Sequence, residues 1–414
     1  MTLDVARSVM QSLRKSEKMP DQALSGLVVL DLSENISGPY STKLLADYGA
    51  EVIKIEKPPL GDSSRSMGPF PDDRPDPERS GLFLFLNTNK KSITLNLESE
   101  GGTKIFNRLV QGADILVENF HPGAMASLGL DYESLAEINP ALIMTSISYF
   151  GQWGPYRDWD GSDIIAQAMG GLMGLTGEAD REPLKLPLSQ AEFQAGLNAA
   201  VATLSALYFR DETGEGQHID VSLQEAVASI LEASVTMYSY SGFVRKRMGS
   251  RHHLQCPSRV MPTKDGFIHV QAGANWDHFA TYLETPQLME PRLASILRYH
   301  YVDEVEGLIQ PWLKKHEARE VFATGQEWRI PFAMVLGIDE LMADPQYEAR
   351  GFFQQIDHPI AGRLIYPGTP FRMSETPPQV NRAPLLGEHN EEVYIGVLGL
   401  SNDDLEKLRE NGVV

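Results

Sequence analysis

Apolar residues along this chain form short continuous runs separated by stretches where they recur at helical spacing. Leu27-Val28-Val29-Leu30 leads into Asp31-Leu32, the pattern of a strand buried on both faces. Gly38-Pro39 follows, and proline suits the first helical position. The helix predicted there carries Leu44 and Leu45 and stops at Gly49, a residue type that caps helix C-termini. Val52-Ile53-Lys54-Ile55 is the next strand, closed by Pro58. Strand, helix and strand within about 30 residues make a βαβ unit.

The alternation continues. Ser92-Ile93-Thr94-Leu95 reads as a strand, Ile105, Leu109 and Val110 mark a helix, and Ile115-Leu116-Val117 is a strand. Leu135 and Ile138 lie on a further helix, and Leu142-Ile143-Met144 begins another strand. Repeated βα units predict an α/β fold with a parallel sheet covered on both faces. Ligands of such sheets bind at the C-terminal strand ends. The loops Glu34–Pro39, Glu56–Gly68 and Glu118–Gly123 are therefore the candidate ligand loops. From Phe193, the positions Leu197, Val201, Leu204 and Tyr208 recur at helical spacing up to Thr213-Gly214-Glu215-Gly216, which predicts a long amphipathic helix. A strand at His218–Val221 and a long helix from Leu223 follow.

Near Ser241 the character changes, with Arg245, Lys246, Arg247 and Arg251 beside Gly242 and Gly249. This reads as a linker into a smaller domain holding a strand at Phe267–Val270 and helices up to about Trp328. The Pro- and Gly-rich remainder ends in a helix with Ser401 as N-cap and Gly412 past its end. The expected layout is a large α/β domain over 24–225 and 335–414, a small α+β domain over 240–330, and linkers at 226–239 and 331–334.

Composition narrows the function. With 414 residues and a 42% hydrophobic content the chain can bury a sizeable core. Its net charge of -20 argues against nucleic-acid and anionic-membrane partners, although a local basic pocket can still hold an anionic ligand. The single cysteine, Cys256, allows no intrachain disulfide or cysteine-based metal site. No apolar stretch reaches membrane-spanning length and residues 1–18 lack the apolar core of a signal peptide, so a cytoplasmic location is expected. The fingerprints of phosphate-binding NTPases, dinucleotide-binding folds and serine hydrolases are missing. His252-His253 are adjacent and share no helix face, so no metal site is expected.

Several ordered segments carry a resemblance. They are Gly26–Leu32 with Ser37-Gly38-Pro39 and Leu44–Glu56, then Gly61-Asp62 with Arg65, then Asn87, Asn89, Lys90 and Ser92. Val117-Glu118-Asn119-Phe120 with Pro122-Gly123 and Leu128-Gly129 follows, then Ser146–Ser148 with Phe150-Gly151-Gln152 and Gly154-Pro155-Tyr156. The last are Thr213–Gln217 with Asp220–Leu223, and Ala343–Gln346 with Ala349-Arg350-Gly351 and Leu386–His389. In this order and over Leu24 to the C-terminus, they resemble the class III CoA-transferases.

The resemblance implies a Rossmann-like large domain, a smaller domain, and two subunits threaded through each other. It implies CoA or acyl-CoA as substrate with no permanently bound cofactor. In the family an aspartate attacks the acyl-CoA thioester, and the acyl group and CoA then exchange through a mixed anhydride and an enzyme-bound thioester. That aspartate lies near a helix start, four residues before a glycine. The matching residue here is Glu192, ahead of Gly196, where a helix N-terminus favours a carboxylate and offers free N–H groups to an oxyanion. Ser37, Lys57, Lys90, Asn119 and Phe120 match family positions expected at CoA. Ser127 stands where the family carries an arginine for the CoA phosphates.

The two departures, Glu192 and Ser127, suggest a weakly catalytic or non-catalytic subunit beside a homologous aspartate-bearing one. The chain is similar in this to the aspartate-lacking subunit of the benzylsuccinate CoA-transferase of anaerobic toluene degradation. A homodimer using Glu192 itself is the alternative. An acyl-CoA racemase would need a His-Asp pair where this chain has Ser162-Asp163, and a scaffold that binds no CoA is the remaining reading.

Overall fold

The computed structural model describes residues 22–272 and 274–414. The chain divides into two compact units. One takes the described residues up to Leu172 together with Leu186–Glu232 and Gly351–Val414; the other takes Met173–Lys185 and Ala233–Arg350.

The first unit is built on six strands: β1 (Val28–Asp31), β2 (Glu51–Glu56), β3 (Lys91–Thr94), β4 (Ile115–Glu118), β5 (Ile143–Ser148) and β6 (Gln217–Ser222). They pair in parallel in the order β3-β2-β1-β4-β5-β6. Side chains of β1 alternate between two cores: Val28 and Leu30 join one, with Ile105, Phe106 and Tyr394, and Val29 joins the other, with Leu45, Ala191 and Ala199. Burial on both faces explains why the central strands β1 and β4 are apolar up to their last residues, Asp31 and Glu118. The order reverses between β1 and β4, which opens a crevice at their C-terminal ends.

Five helices matter to that crevice: α1 (Ser37–Asp47), α2 (Glu100–Val110), α3 (Ala124–Ser127), α4 (Asp163–Met169) and the 24-residue α5 (Gln190–Thr213). The packing of α5 differs from the amphipathic expectation. Its buried face is Ala191, Ala195, Gly196, Ala199 and Ala206. The larger residues Leu197, Val201, Leu204 and Tyr208 are exposed, Val201 at 58% and Tyr208 at 73%. Small residues let α5 lie close on α1. A Cβ on Gly196 would stand 2.4 Å from the Ser37 carbonyl oxygen. The long helix expected from Leu223 is broken into Leu223–Ser229 and Ser234–Ser241, with Glu232 between them at φ 55°.

Buried charge pins the strand ends. Lys54 Nζ meets Asp62 at 2.7 Å and the Ser33 carbonyl at 2.8 Å. Arg65 clasps Glu56 through Nε at 2.7 Å and Nη2 at 2.9 Å, its guanidinium 3.6 Å from the Phe83 ring centroid. Removing one member of such a buried pair strands the other, at about 3–5 kcal/mol.

The second unit holds an antiparallel sheet of β7 (Ser258–Pro262), β8 (Phe267–Gln271) and β9 (Ala333–Met334). Helices α6 (Trp276–Tyr282), α7 (Val302–Leu313) and α8 (Ala318–Glu327) share with it a core of Ile268, Phe279, Val305, Ile309, Val321 and Phe332. The final stretch returns to the first unit as the hairpin β10 (Phe353–His358) and β11 (Gly362–Pro367). It ends in α9 (Asn402–Glu410), capped by Ser401.

Candidate active site

The loop after β1 and the loop after β4 are stitched together by one side chain. Asn119 donates from Nδ2 to the Glu34 carbonyl at 2.7 Å and accepts from the Glu34 N–H through Oδ1 at 2.8 Å. The same Nδ2 reaches Ser37 Oγ at 3.4 Å. Next to it, the Phe120 N–H donates to Glu118 Oε2 at 2.8 Å. Glu118 is buried, which raises its pKa to about 7 against the lowering effects of the Ser146 hydroxyl and the Phe120 amide. A carboxyl at the end of β4 thus fixes the backbone of Asn119–Phe120.

A cavity of about 160 Å³ opens here, lined by Ser37, Asn119, Phe120, Tyr149, Arg157 and Glu192 among others. Glu192 lies in the first turn of α5 and is 9% exposed. Tyr149 Oη donates to its Oε1 at 3.3 Å. Burial pushes the Glu192 pKa up; the Ser37 hydroxyl and the Tyr149 hydroxyl oppose this, and Asp163 adds a further upward push. Burial, followed by the Glu192 charge, pushes the Tyr149 hydroxyl up to about 12, so Tyr149 stays a donor at neutral pH.

Two amides at the helix start are already taken and so are not free for an oxyanion, contrary to expectation. Asp163 Oδ1 accepts from the N–H of Ala191 at 2.8 Å and of Glu192 at 3.3 Å. Asp163 itself is steadied by Gln167 Nε2 at 2.7 Å. The positive end of α5 is therefore already matched by a carboxylate, and Asp163 orients the turn that carries Glu192.

A second cavity of about 240 Å³ adjoins through Phe120 and is lined by Leu32, Glu34, Lys57, Glu98, Ser127 and Leu128, with others. Lys57 is exposed and pairs with Glu98 at 2.8 Å. The Ser127 hydroxyl donates to the Ala124 carbonyl at 2.7 Å, back within α3.

Ser37, Asn119, Phe120 and Glu192 are thus brought together, and Lys57 lies in the adjoining cavity. Lys90 does not join them. It is buried at the end of β1, its Nζ within 2.9 Å of Asp31 Oδ2, the Pro39 carbonyl, Thr42 Oγ1 and Asn87 Oδ1. Those acceptors consume its donors, so the expectation of Lys90 at CoA is corrected: it holds the β1 terminus. Burial, despite Asp31, lowers its pKa to about 8. Tyr149, Asp163 and Arg157 were missed as site residues. Tyr149 directly follows the Ser146-Ile147-Ser148 segment at the C-terminal edge of the sheet, and that position was the available signal. Among the described residues there is no group of three or more His, Cys, Asp and Glu placed to hold a metal, and no helix is long and apolar enough to cross a membrane.

A six-stranded parallel sheet that opens a crevice at its switch point is a Rossmann-like fold, and the crevice here holds a buried carboxylate, Glu192. The profile of CoA-transferase family III matches residues 24–390, and the chain belongs to that family of enzymes. It is 36% identical over 409 residues to the succinyl-CoA–D-citramalate CoA-transferase of Chloroflexus aurantiacus, covering 96% of this chain and 100% of that one. To the formyl-CoA:oxalate CoA-transferase of Streptomyces coelicolor it is 34% identical over 417 residues, with 96% and 100% covered. Among solved structures, a CaiB/BaiF family protein from Brucella suis aligns with a TM-score of 0.82 at 34% identity, over 91% of this chain and all of that one. Enzymes of this class act on CoA thioesters as substrates.

Proposed function

We propose that this chain exchanges CoA between an acyl-CoA donor and a carboxylic acid acceptor with Glu192 as the attacking carboxylate. The observation that carries the reading is the position of Glu192, in the cavity at the β1/β4 crevice beside Ser37 and Tyr149. Its oxygen attacks the thioester carbonyl and the CoA thiolate leaves, giving a mixed anhydride. The thiolate attacks the Glu192 carbonyl carbon, releasing the donor acid and leaving a Glu192–CoA thioester. The acceptor carboxylate then attacks that thioester, and the freed thiolate attacks the acceptor's acyl carbon, restoring Glu192. Each step exchanges one acyl bond for another and consumes no water, so exclusion of water from the site favours transfer over hydrolysis.

On this reading the adenosine end of CoA is assigned to the adjoining cavity, which shares Phe120 with the first. Lys57 supplies one cation there, shared with Glu98. That single compromised cation, together with Ser127, favours a second reading, in which this chain supports a homologous aspartate-bearing subunit. Under either reading the exposed apolar stripe of α5 is covered by a second, threaded subunit. The single cysteine accords with a cytoplasmic location. The test is the purified chain alone with succinyl-CoA and a panel of acceptor acids. Turnover that falls at least about 1,000-fold in Glu192→Gln is expected. Turnover appearing only when a homologous subunit is added would replace the first reading with the second.

A further inference from the structure

The Glu192 cavity carries more polar recognition than attack on a thioester requires. Arg157 lines it and is the one Arg or Lys among its lining residues. Its guanidinium lies against the turn after β4, where a Cβ on Gly123 would be 3.2 Å from Arg157 Nη2. The loop that carries it is braced by an aromatic cluster. Tyr156 stacks on Trp159 at 4.1 Å, and Phe150 meets Tyr156 at 5.9 Å and Trp159 at 6.3 Å. Arg157 therefore sits between two residues that are fixed to each other. Its ion partner is the exposed Asp158 at 3.5 Å, a surface pair that a ligand can replace at little cost.

A second observation points the same way. Ser148, at the last position of β5, lines the same cavity, is only 7% exposed, and its Oγ has no hydrogen-bond partner among the described residues. Buried hydroxyls are nearly always paired, so an unpaired one beside a cavity marks a place for a polar ligand atom. We infer that Arg157 and Ser148 form a subsite for the second, non-reacting carboxylate of a short dicarboxylic acid, whose other carboxylate reacts at Glu192. The inference rests on the functional reading above and names the acid class.

Size and charge both bear on this. The cavity of about 160 Å³ lies below the roughly 300 Å³ at which drug-sized ligand sites begin, which suits a compact acid of a few carbons. Glu192 and Asp160 share the cavity, and an ionised Glu192 repels a dianion. In the proposed sequence, however, the acceptor arrives when Glu192 is held as a neutral thioester. At that stage Arg157 offers charge-assisted, two-pronged hydrogen bonding to a carboxylate.

Binding of succinate and of butyrate is measured by tryptophan fluorescence and calorimetry in Glu192→Gln, which mimics the neutral state of that residue. Succinate is expected to bind about 10- to 100-fold more tightly than butyrate. Adding Arg157→Gln is expected to bring the ratio near one. Adding Arg157→Lys is expected to restore part of it, and Ser148→Ala to weaken succinate several-fold. Equal binding of the two acids, or a succinate preference that survives in a folded Arg157→Gln protein, would overturn the subsite. Absent turnover with every acceptor, alongside an Arg157-dependent preference in binding, would count against the transfer reading and leave the subsite standing.

Discussion

Replacing Gly196 with alanine tests how closely α1 must approach α5. The added Cβ would lie 2.4 Å from the Ser37 carbonyl oxygen and 3.2 Å from Tyr40 Cδ1. An ordinary contact begins near 3.4 Å, so the first turn of α1 must retreat by about 1 Å. The obstacle is backbone, which cannot rotate away as a side chain would. Overpacking of this kind costs roughly 1–3 kcal/mol. The functional loss is larger, because Ser37 sits on the displaced turn and its hydroxyl helps hold Glu192 ionised. A 1 Å misplacement around a reacting group costs about 100-fold in rate. The assay pairs thermal unfolding with kcat/KM for CoA transfer: a moderately lowered Tm and a rate down by about two orders of magnitude are expected. A Gly196→Ala protein with kcat/KM within twofold of the parent would refute the claim that α1 and α5 jointly position Glu192.

Glu118→Gln should flatten the dependence of stability on pH. Burial raises the native pKa of Glu118 to about 7 from a model-peptide value near 4.5, so the folded state binds that proton more tightly than the unfolded one. Its favourable contribution is complete below about pH 4.5 and is lost as pH rises through 7, a change on the order of 3 kcal/mol. Denaturant titrations at several pH values should show that drop in the parent and lack it in the variant, whose amide oxygen can still accept from Phe120. Glu98→Lys should release Lys57 and add a cation to the adjoining cavity, lowering KM for acyl-CoA by roughly 3- to 10-fold. The gain should shrink at about 0.5 M salt, and an unchanged KM would place the CoA phosphates elsewhere.

The central strands were legible because they are buried on both faces and therefore read as apolar runs, as at Val28–Leu30 and Ile115–Val117. The loops after β1 and β4 followed from that topology, whereas Ser37, Asn119 and Phe120 within them were singled out only through the family resemblance. The orientation of α5 was not legible. Large apolar residues at helical spacing suggest a core-facing stripe, but close approach to α1 requires the alanine and glycine face instead. Lys90 shows a similar limit: its position in a motif places it near the site, and only the tertiary structure reveals Asp31 and Thr42 around its amine. Tyr149 and Asp163 reach Glu192 across separations of 43 and 29 residues, contacts for which a single sequence carries no periodicity or spacing.

The claim that Glu192 is the attacking carboxylate is tested most directly by trapping its thioester. The chain alone is incubated with succinyl-CoA, quenched, digested and mapped by mass spectrometry, with hydroxylamine used to convert any enzyme thioester to a hydroxamate. The account predicts a CoA adduct, and after hydroxylamine a hydroxamate, on the peptide containing Glu192, both missing from Glu192→Gln. Sustained CoA transfer by the chain alone with Glu192 unmodified, or with Glu192→Gln equally active, would contradict it.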